Sequence, residues 1–436
     1  MRFYGREVEL QALARIKETS FSSSQFTLLT GRRRVGKTTL VNEVFKTTHW
    51  LYLFVSRKNE SLLCEEFQRE MTKKLDTPMF GRFERIKDIL EALFIYAQST
   101  PLTVVIDEFQ DFSRVNKGIF SELQDLWDRY KDSAKLNLVV CGSIYSLLIK
   151  LFEDEEEPLF GRLTAKIELK PFSPQTIKQV LYDHACDSDQ EALLCAYTLT
   201  GGMPKFLTLL MDTGAYKKQD MLKYVVSMGS PFLTEGRDIL ISEFGQDYAV
   251  YFSILQLIAS NKTAQSEIDS VLGKTSTSYI ANLETRYSLI RRVKPMFAKP
   301  GSRNTRWRIL DAYLAFWFRF IYANQTLVEQ QRPDLLLELI EQDYLRFSGI
   351  TLEDYFREKI MEEGRFNKIG SYWDRSGQNQ IDLIALNDLD KKALVAEVKR
   401  SQKHIDMAIL KSKAVTLKNE LAAYDIMYKG LSLSDM

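Results

Sequence analysis

Short apolar runs alternate with helical periodicity over the first part of the chain. Runs that are typical of buried strands occupy residues 26–30, 50–55, 102–106 and 136–141, and a helical pattern begins at Lys37. Strands that alternate with helices predict a parallel sheet with crossover helices. We therefore expect an α/β domain over residues 1–171.

The pattern then becomes helical. Ser173 and Pro174 are placed as a helix start, and the glycines at 201 and 202 indicate a break. We expect a helical lid over residues 172–246. Over residues 247–325, helices are followed by a hairpin candidate around Pro300, Gly301 and Ser302, which predicts a winged helix.

The last segment, residues 334–436, begins as a long helical pattern and ends in β-rich runs at 368–373, 380–386 and 393–398. This pattern predicts a further unit of α/β type. The expected fold class is thus α/β, with a parallel-sheet core, a helical lid, a winged helix and an α/β tail.

Composition and charge narrow the function classes. The 436 residues carry a net charge of only +1, so overall charge gives no argument for nucleic-acid binding, and any basic patch must be local. No apolar run approaches the roughly 18 residues needed to span a bilayer, so we expect a cytoplasmic protein without a membrane partner. The four cysteines form no CxxC pair and are interpreted as reduced core residues.

The first chemical motif lies between the first apolar run and the helix that follows it. Glycines there let backbone N–H groups approach phosphate oxygens, Lys37 would neutralise the β and γ phosphates, and Thr38 would hold Mg²⁺. We predict an ATP site at this position. The residues counted in it are Gly31, Arg32, Arg33, Arg34, Val35, Gly36, Lys37, Thr38 and the adjacent Thr39.

A second motif ends the apolar run at 102–106 with two carboxylates. Asp107 would bind Mg²⁺ through water, and Glu108 would orient or deprotonate the attacking water, unless it only caps a turn. Ser143, at the end of the run at 136–141, is interpreted either as a sensor of the γ-phosphate or as the N-cap of the next helix.

Three further segments carry a family resemblance: residues 3–10 (FYGREVEL), 160–162 (FGR) and 201–204 (GGMP). Together with the two motifs they resemble the archaeal-type P-loop ATPases of the AAA+/STAND class, MNS-like clade, which carry a winged helix and a nuclease-like tail. The resemblance implies that residues 3–10 lie near the adenine and that Arg162 senses the γ-phosphate or acts as an arginine finger. A plain surface role for Arg162 stays open. The implied partners are ATP or ADP, DNA and a second copy of the chain.

The hairpin segment is rich in basic residues, which favours contacts with DNA phosphates. The alternative is a winged helix that serves as a rigid spacer between proteins. The basic residues are Arg286, Arg291, Arg292, Lys294, Lys299, Arg303, Arg306 and Arg308.

The tail contains a second set of carboxylates: Glu353 on a helix, Asp382 on one strand and Glu397 on the next, two residues before Lys399. Alternation along a strand places Glu397 and Lys399 on one face, so that Asp382 and Glu397 can share a metal while Lys399 positions water. This is the layout of the PD-(D/E)xK nuclease fold. The alternative is charge that protects an edge strand from aggregation.

Two functions are consistent with these patterns. The first is an ATPase coupled to DNA binding and metal-dependent DNA cleavage. The second is a nucleotide-switched signalling or scaffold ATPase whose nuclease-like tail is inactive.

Overall fold

The computed structural model describes residues 2–75, 81–186, 188–245, 248–299, 301–302 and 304–436. The chain forms two compact units. The first spans Arg6–Lys170, and the second consists of the first five residues together with Pro171–Met436.

A five-stranded parallel sheet forms the centre of the first unit, in the order β2-β3-β4-β1-β5. Its strands are β1 Gln25–Gly31, β2 Trp50–Phe54, β3 Leu102–Asp107, β4 Leu136–Cys141 and β5 Ala165–Leu169. The α-helices of this unit are α1 Glu7–Thr19, α2 Lys37–Phe45, α3 Glu60–Lys74, α4 Ile86–Ser99, α5 Phe112–Val115, α6 Ile119–Tyr130 and α7 Tyr145–Glu153. The α/β fold predicted for this part is confirmed.

The interior strands β3 and β4 are buried along their whole length, as expected for a parallel sheet covered by helices on both faces. Aromatic side chains join the helices to the sheet: Phe26 of β1 lies 5.1 Å from Trp127 and 5.5 Å from Phe152, centroid to centroid. Parallel pairing of β3 with β4 and of β4 with β1 places the carboxyl ends of these three strands beside one another.

In the second unit, helices precede an antiparallel hairpin of β6 Ile290–Val293 and β7 Arg306–Ile309. The α-helices are α8 Pro174–His184, α9 Gln190–Thr200, α10 Pro204–Asp212, α11 Lys218–Val226, α12 Pro231–Phe244, α13 Tyr248–Ala259, α14 Gln265–Leu272, α15 Thr277–Ala281, α16 Ala312–Phe316, α17 Gln325–Glu329, α18 Pro333–Glu362, α19 Met407–Val415 and α20 Lys418–Leu421. Two π-helical segments lie at Asn282–Arg286 and Trp317–Ile321.

Local signals set several of these boundaries. The Ser173 side chain accepts a hydrogen bond from the Thr176 N–H, so it is the N-cap of α8, as predicted. Gly201 ends α9 with φ +55°, and α10 begins at Pro204. Pro300 and Arg303, which the sequence places in the hairpin turn and the basic set, lie outside the described residues, as do the predicted boundaries at 246 and 247.

The last part of the second unit contains a mixed four-stranded sheet in the order β11-β10-β9-β8. It contains β8 Lys368–Trp373, β9 Gln380–Asn387, β10 Lys392–Val398 and β11 Asp425–Leu431. Strands β8, β9 and β10 are antiparallel, whereas β11 pairs parallel to β10, with α19 and α20 in the connection. The α/β character predicted for the tail is confirmed.

Burial corrects one expectation from composition. Cys64, Cys141 and Cys195 are buried, but Cys186 is exposed, so the interpretation of all four cysteines as core residues is wrong for Cys186. Within the described ranges, no helix has both the length and the apolar character needed to cross a membrane.

Candidate functional site

The loop between β1 and α2 folds back around the Lys37 side chain. Lys37 Nζ donates to the carbonyl oxygens of Gly31, at 2.7 Å, and Arg32, at 3.2 Å. Gly36 precedes the helix with φ +95°, which glycine adopts without strain. Thr38 and Thr39 lie exposed on the first turn of α2. The ammonium group is therefore held over the start of a helix whose N–H groups point into the same loop.

Arg6 lies in the segment 3–10 that carries the family resemblance, and its side chain holds this loop by hydrogen bonds. Its guanidinium donates to the carbonyl oxygens of Val35, at 3.1 Å, and Lys170, at 2.8 Å. Burial lowers the pKa of Arg6, against the opposing charge of Glu9. Since Val35 is itself buried, Arg6 fixes the second half of the loop to the end of β5.

Gly31 has no room for a side chain. Its φ is +140°, and a Cβ atom there would lie 2.6 Å from the carbonyl oxygen of Leu169. We expect Gly31→Ala to destabilise the protein by about 1–3 kcal/mol because both the backbone angle and the contact are strained. Urea unfolding of the variant measures this, with Gly118→Ala, where φ is negative and the nearest atom is 3.5 Å away, as control. Equal midpoints for Gly31→Ala and wild type would contradict it.

Asp107 lies at the centre of the site, at the end of β3. Its Oδ2 is 3.5 Å from Thr38 Oγ1, which brings together the two residues predicted to hold Mg²⁺. The same oxygen accepts a hydrogen bond from the Tyr52 hydroxyl at 2.7 Å, and Oδ1 accepts from Cys141 Sγ at 3.2 Å. Burial and the Asp107 carboxylate raise the pKa values of Tyr52 and Cys141, so both side chains are protonated donors.

Glu108 follows directly and adopts a left-handed backbone conformation, with φ +54°. Its Oε2 accepts hydrogen bonds from Ser143 Oγ at 2.8 Å, from the Ser143 N–H at 3.1 Å and from Gln110 Nε2 at 2.5 Å. Helix α7 begins at Tyr145 with Ile144 in the N-cap position. The interpretation of Ser143 as the N-cap is therefore wrong, and Ser143 instead contacts the predicted catalytic carboxylate.

Arg162 is held within the first unit. Its guanidinium pairs with Asp128 at 2.8 Å and donates to the carbonyl oxygens of Pro158 and Phe160. These contacts fix the position of the side chain, and its role toward a nucleotide stays a prediction.

The tail carboxylates lie together on the interior strands of the mixed sheet. Lys399 Nζ is 3.0 Å from Asp382 Oδ2 and 3.1 Å from Glu397 Oε1, so a single ammonium group bridges the two side chains. Asp382 and Glu397 are only 6% and 8% exposed. The alternative of charges that protect an edge strand is wrong, because β9 and β10 have a neighbour on each side.

Glu353, on α18, is the third carboxylate predicted for the tail site. Burial, followed by the charge of Asp382, raises the pKa of Glu353 to about 7, while the Arg308 charge opposes the shift. Lys413 Nζ also lies 3.3 Å from Glu397 Oε2. Among the residues that the structure describes, no three His, Cys, Asp or Glu side chains are arranged as a metal-ligand group, so Glu353, Asp382 and Glu397 do not form a three-ligand site here.

The basic residues of the hairpin point partly inward. Arg308 lies 3.3 Å from Asp354 Oδ1 and 3.5 Å from Glu353 Oε2, and Arg291 lies 3.2 Å from Asp354 Oδ1. The guanidinium of Arg306 lies 4.5 Å from the centre of the Trp373 ring. The hairpin therefore contacts α18 and β8.

Two family models match separate parts of the chain. A family model described as an ATPase domain predominantly from Archaea matches residues 3–210, and one described as archaeal and bacterial proteins of unknown function matches residues 317–413. An uncharacterized protein of Methanocaldococcus jannaschii is 30% identical over 408 residues, which cover 91% of this chain and 87% of the relative. The chain therefore belongs to this family of archaeal-type ATPases.

A solved Walker-type ATPase of Pyrococcus abyssi has the same fold. It superposes with a TM-score of 0.54 at 21% identity, covering 72% of this chain and 96% of the other. The ATPase family model, the parallel sheet and the loop before α2 together define the class of the P-loop ATPases.

Proposed function

We propose that the protein binds ATP with Mg²⁺ and hydrolyses it. The observation that carries this proposal is the meeting of Thr38 and Asp107 at 3.5 Å, beside the Lys37 ammonium and the Glu108 carboxylate. Thr38 and, through water, Asp107 would hold Mg²⁺, which neutralises phosphate charge when bound.

The remaining residues of the site have distinct tasks in this proposal. Lys37 leaves the loop carbonyls to bind β and γ phosphate oxygens, while the N–H groups of residues 31–39 surround the phosphates. Glu108 orients the attacking water and accepts its proton. Ser143, bonded to Glu108, lies at the strand end where it can also donate to the γ-phosphate. Arg162 is proposed as a γ-phosphate sensor, or as an arginine finger in a homo-oligomer.

We predict that Lys37→Ala abolishes ATP binding. The lost charge faces the phosphates, and a charge-assisted hydrogen bond in a buried site has no equivalent from water. Titration with a fluorescent ATP analogue measures the effect. Lys46→Ala, which removes an exposed lysine just after the same helix, should bind normally. Unchanged affinity in Lys37→Ala would refute the site.

We further propose that residues 334–436 form a PD-(D/E)xK nuclease-like domain that cleaves DNA with a divalent metal. What supports this is the convergence of the Asp382 and Glu397 oxygens on one cationic group, with Glu353 close enough to feel the charge of Asp382. A hard divalent ion prefers the same oxygens and would take the place of the ammonium group. Lys399 would then be free to position water at the metal.

We propose that residues 172–246 form a helical lid and residues 247–325 a winged helix that binds DNA. The inward contacts of Arg291 and Arg308 remove two of the expected phosphate contacts from its outer surface. This observation favours the alternative of a winged helix that serves as a rigid spacer between proteins. Plasmid cleavage in Mg²⁺ or Mn²⁺, with and without ATP, tests separately whether the tail is an active nuclease or the inactive tail of a nucleotide-switched ATPase.

A further inference from the structure

The carboxylate of Asp107 is held by donors from both neighbouring strands. The Tyr52 hydroxyl, from β2, donates to Oδ2 at 2.7 Å, and the Cys141 thiol, from β4, donates to Oδ1 at 3.2 Å. Oδ1 also accepts from the Glu108 N–H at 2.9 Å. Rotation of the carboxylate would therefore break hydrogen bonds on both of its sides.

The two oxygens of Asp107 differ in what they can still accept. A carboxylate offers roughly four lone-pair sites, two on each oxygen. Oδ1 accepts two hydrogen bonds, whereas Oδ2 accepts one short bond from Tyr52 and lies 3.5 Å from Thr38 Oγ1. The lone pair of Oδ2 that Tyr52 does not use is therefore available to Thr38 or to water on a metal ion.

Tyr52 is placed for this contact by the parallel sheet. It lies opposite Val105 of β3, and Val105 shares a face with Asp107 because side chains alternate along a strand. A long side chain such as tyrosine reaches from there to a residue two positions along the neighbouring strand. The Tyr52 ring packs 5.9 Å from Trp50, which lies 5.9 Å from Phe45 of α2. This packing does not use the hydroxyl, so the ring should keep its place without it.

We propose that Tyr52 is a positioning residue for Mg²⁺: its hydroxyl fixes Asp107 with Oδ2 beside Thr38, where the two residues hold the metal together. The hydrogen bond is short and charge-assisted, and such bonds are about twice as strong as neutral ones. The inference rests on the proposed binding of ATP with Mg²⁺. It adds to that site a residue outside both sequence motifs.

Tyr52→Phe removes the hydroxyl and keeps the ring. The full-length protein is titrated with a fluorescent ATP analogue, once in EDTA and once in saturating Mg²⁺. The ratio of the Kd in EDTA to the Kd in Mg²⁺ should fall about tenfold in the variant, because loss of an outer hydrogen bond weakens metal binding by roughly 10- to 100-fold. The Kd in EDTA should stay that of wild type, since the proposed phosphate ligands are unchanged.

Tyr130→Phe is the matched control, at the end of α6 in the same unit. The Tyr130 hydroxyl donates to Glu91 Oε1 at 3.0 Å, and its ring stacks on Phe94 at 5.7 Å. This variant thus also takes one hydroxyl from a carboxylate while the ring stays packed. Both Kd values should equal those of wild type. Circular dichroism and thermal unfolding establish that each variant folds.

An unchanged ratio in Tyr52→Phe overturns the inference. Equal weakening in EDTA and in Mg²⁺ also overturns it, because that result assigns Tyr52 to the packing of the site and not to the metal. Failure of the proposed function is seen in wild type instead. Wild type that binds no nucleotide refutes the ATP site, and wild type whose affinity is the same in EDTA and in Mg²⁺ refutes the metal site and the inference with it.

Discussion

Glu108→Gln is expected to retain ATP binding and to slow hydrolysis by a factor on the order of 10² or more, the usual contribution of a positioned general base. Glutamine keeps an oxygen that can accept from Ser143, which now bonds to Glu108 at 2.8 Å. It cannot accept a proton from water. Nucleotide binding should survive because no phosphate ligand is changed. Single-turnover hydrolysis of labelled ATP, beside equilibrium binding, measures both properties.

Glu153→Gln is a suitable control for this variant. Glu153 is a surface carboxylate at the end of α7 and pairs with Lys166, away from the loop before α2. Its turnover should equal that of wild type. Normal turnover in Glu108→Gln would show that Glu108 is structural, its carboxylate serving only to hold Ser143 and Gln110 in place.

The sequence predicts most strands of the two larger sheets, including the edge strands β2 and β8, and its clearest signals come from strands that are buried on both faces. β3 and β4 are continuous apolar runs because helices cover them on both sides. β5 and β11 were not predicted. Both alternate between more and less exposed positions at the edge of a sheet, and their polar residues hide the strand pattern.

The nucleotide site could be predicted only in part, because the sequence reveals local motifs and not contacts between distant strands. Its loop motif and the contact of Gln110 with Glu108 are local in sequence, whereas Tyr52 and Cys141 reach Asp107 only through the order of the strands. A polar tyrosine within the apolar run of β2 was the available signal for Tyr52. Nothing comparable singled out Cys141, an ordinary apolar residue in its strand.

In the second unit, the sequence predicts more exposed positive charge than the structure has. The sequence places the hairpin arginines together and suggests a basic outer surface, but Asp354 lies far along the chain and pairs with two of them. The neighbours of β9 and β10 also decide that Asp382 and Glu397 are buried. Spacing along the chain cannot supply either fact, because both depend on tertiary contacts.

In the tail, we expect the largest loss of function when either of the two carboxylates that pair with Lys399 is removed. Asp382→Ala and Glu397→Ala should each abolish divalent-metal binding there, together with any nuclease activity, and leave ATP binding intact. A hard cation needs several oxygen ligands and binds poorly once one of two shared carboxylates is gone. Mn²⁺ titration of the full-length protein without nucleotide, followed by water-proton relaxation, measures the loss as a difference from wild type.

Loss of structure must be separated from loss of a ligand, since a variant without Asp382 leaves Lys399 with one fewer partner and the Val398 N–H without an acceptor. Asp382→Asn keeps an acceptor oxygen and should fold, yet still lose most of the metal affinity. Asp390→Ala, an exposed carboxylate in the turn after β9, should change stability by no more than about 0.5 kcal/mol and leave metal binding as it is. If wild type and Asp382→Asn bind Mn²⁺ identically, the tail holds no metal at these residues, and the nucleotide-switched ATPase becomes the better account of the protein.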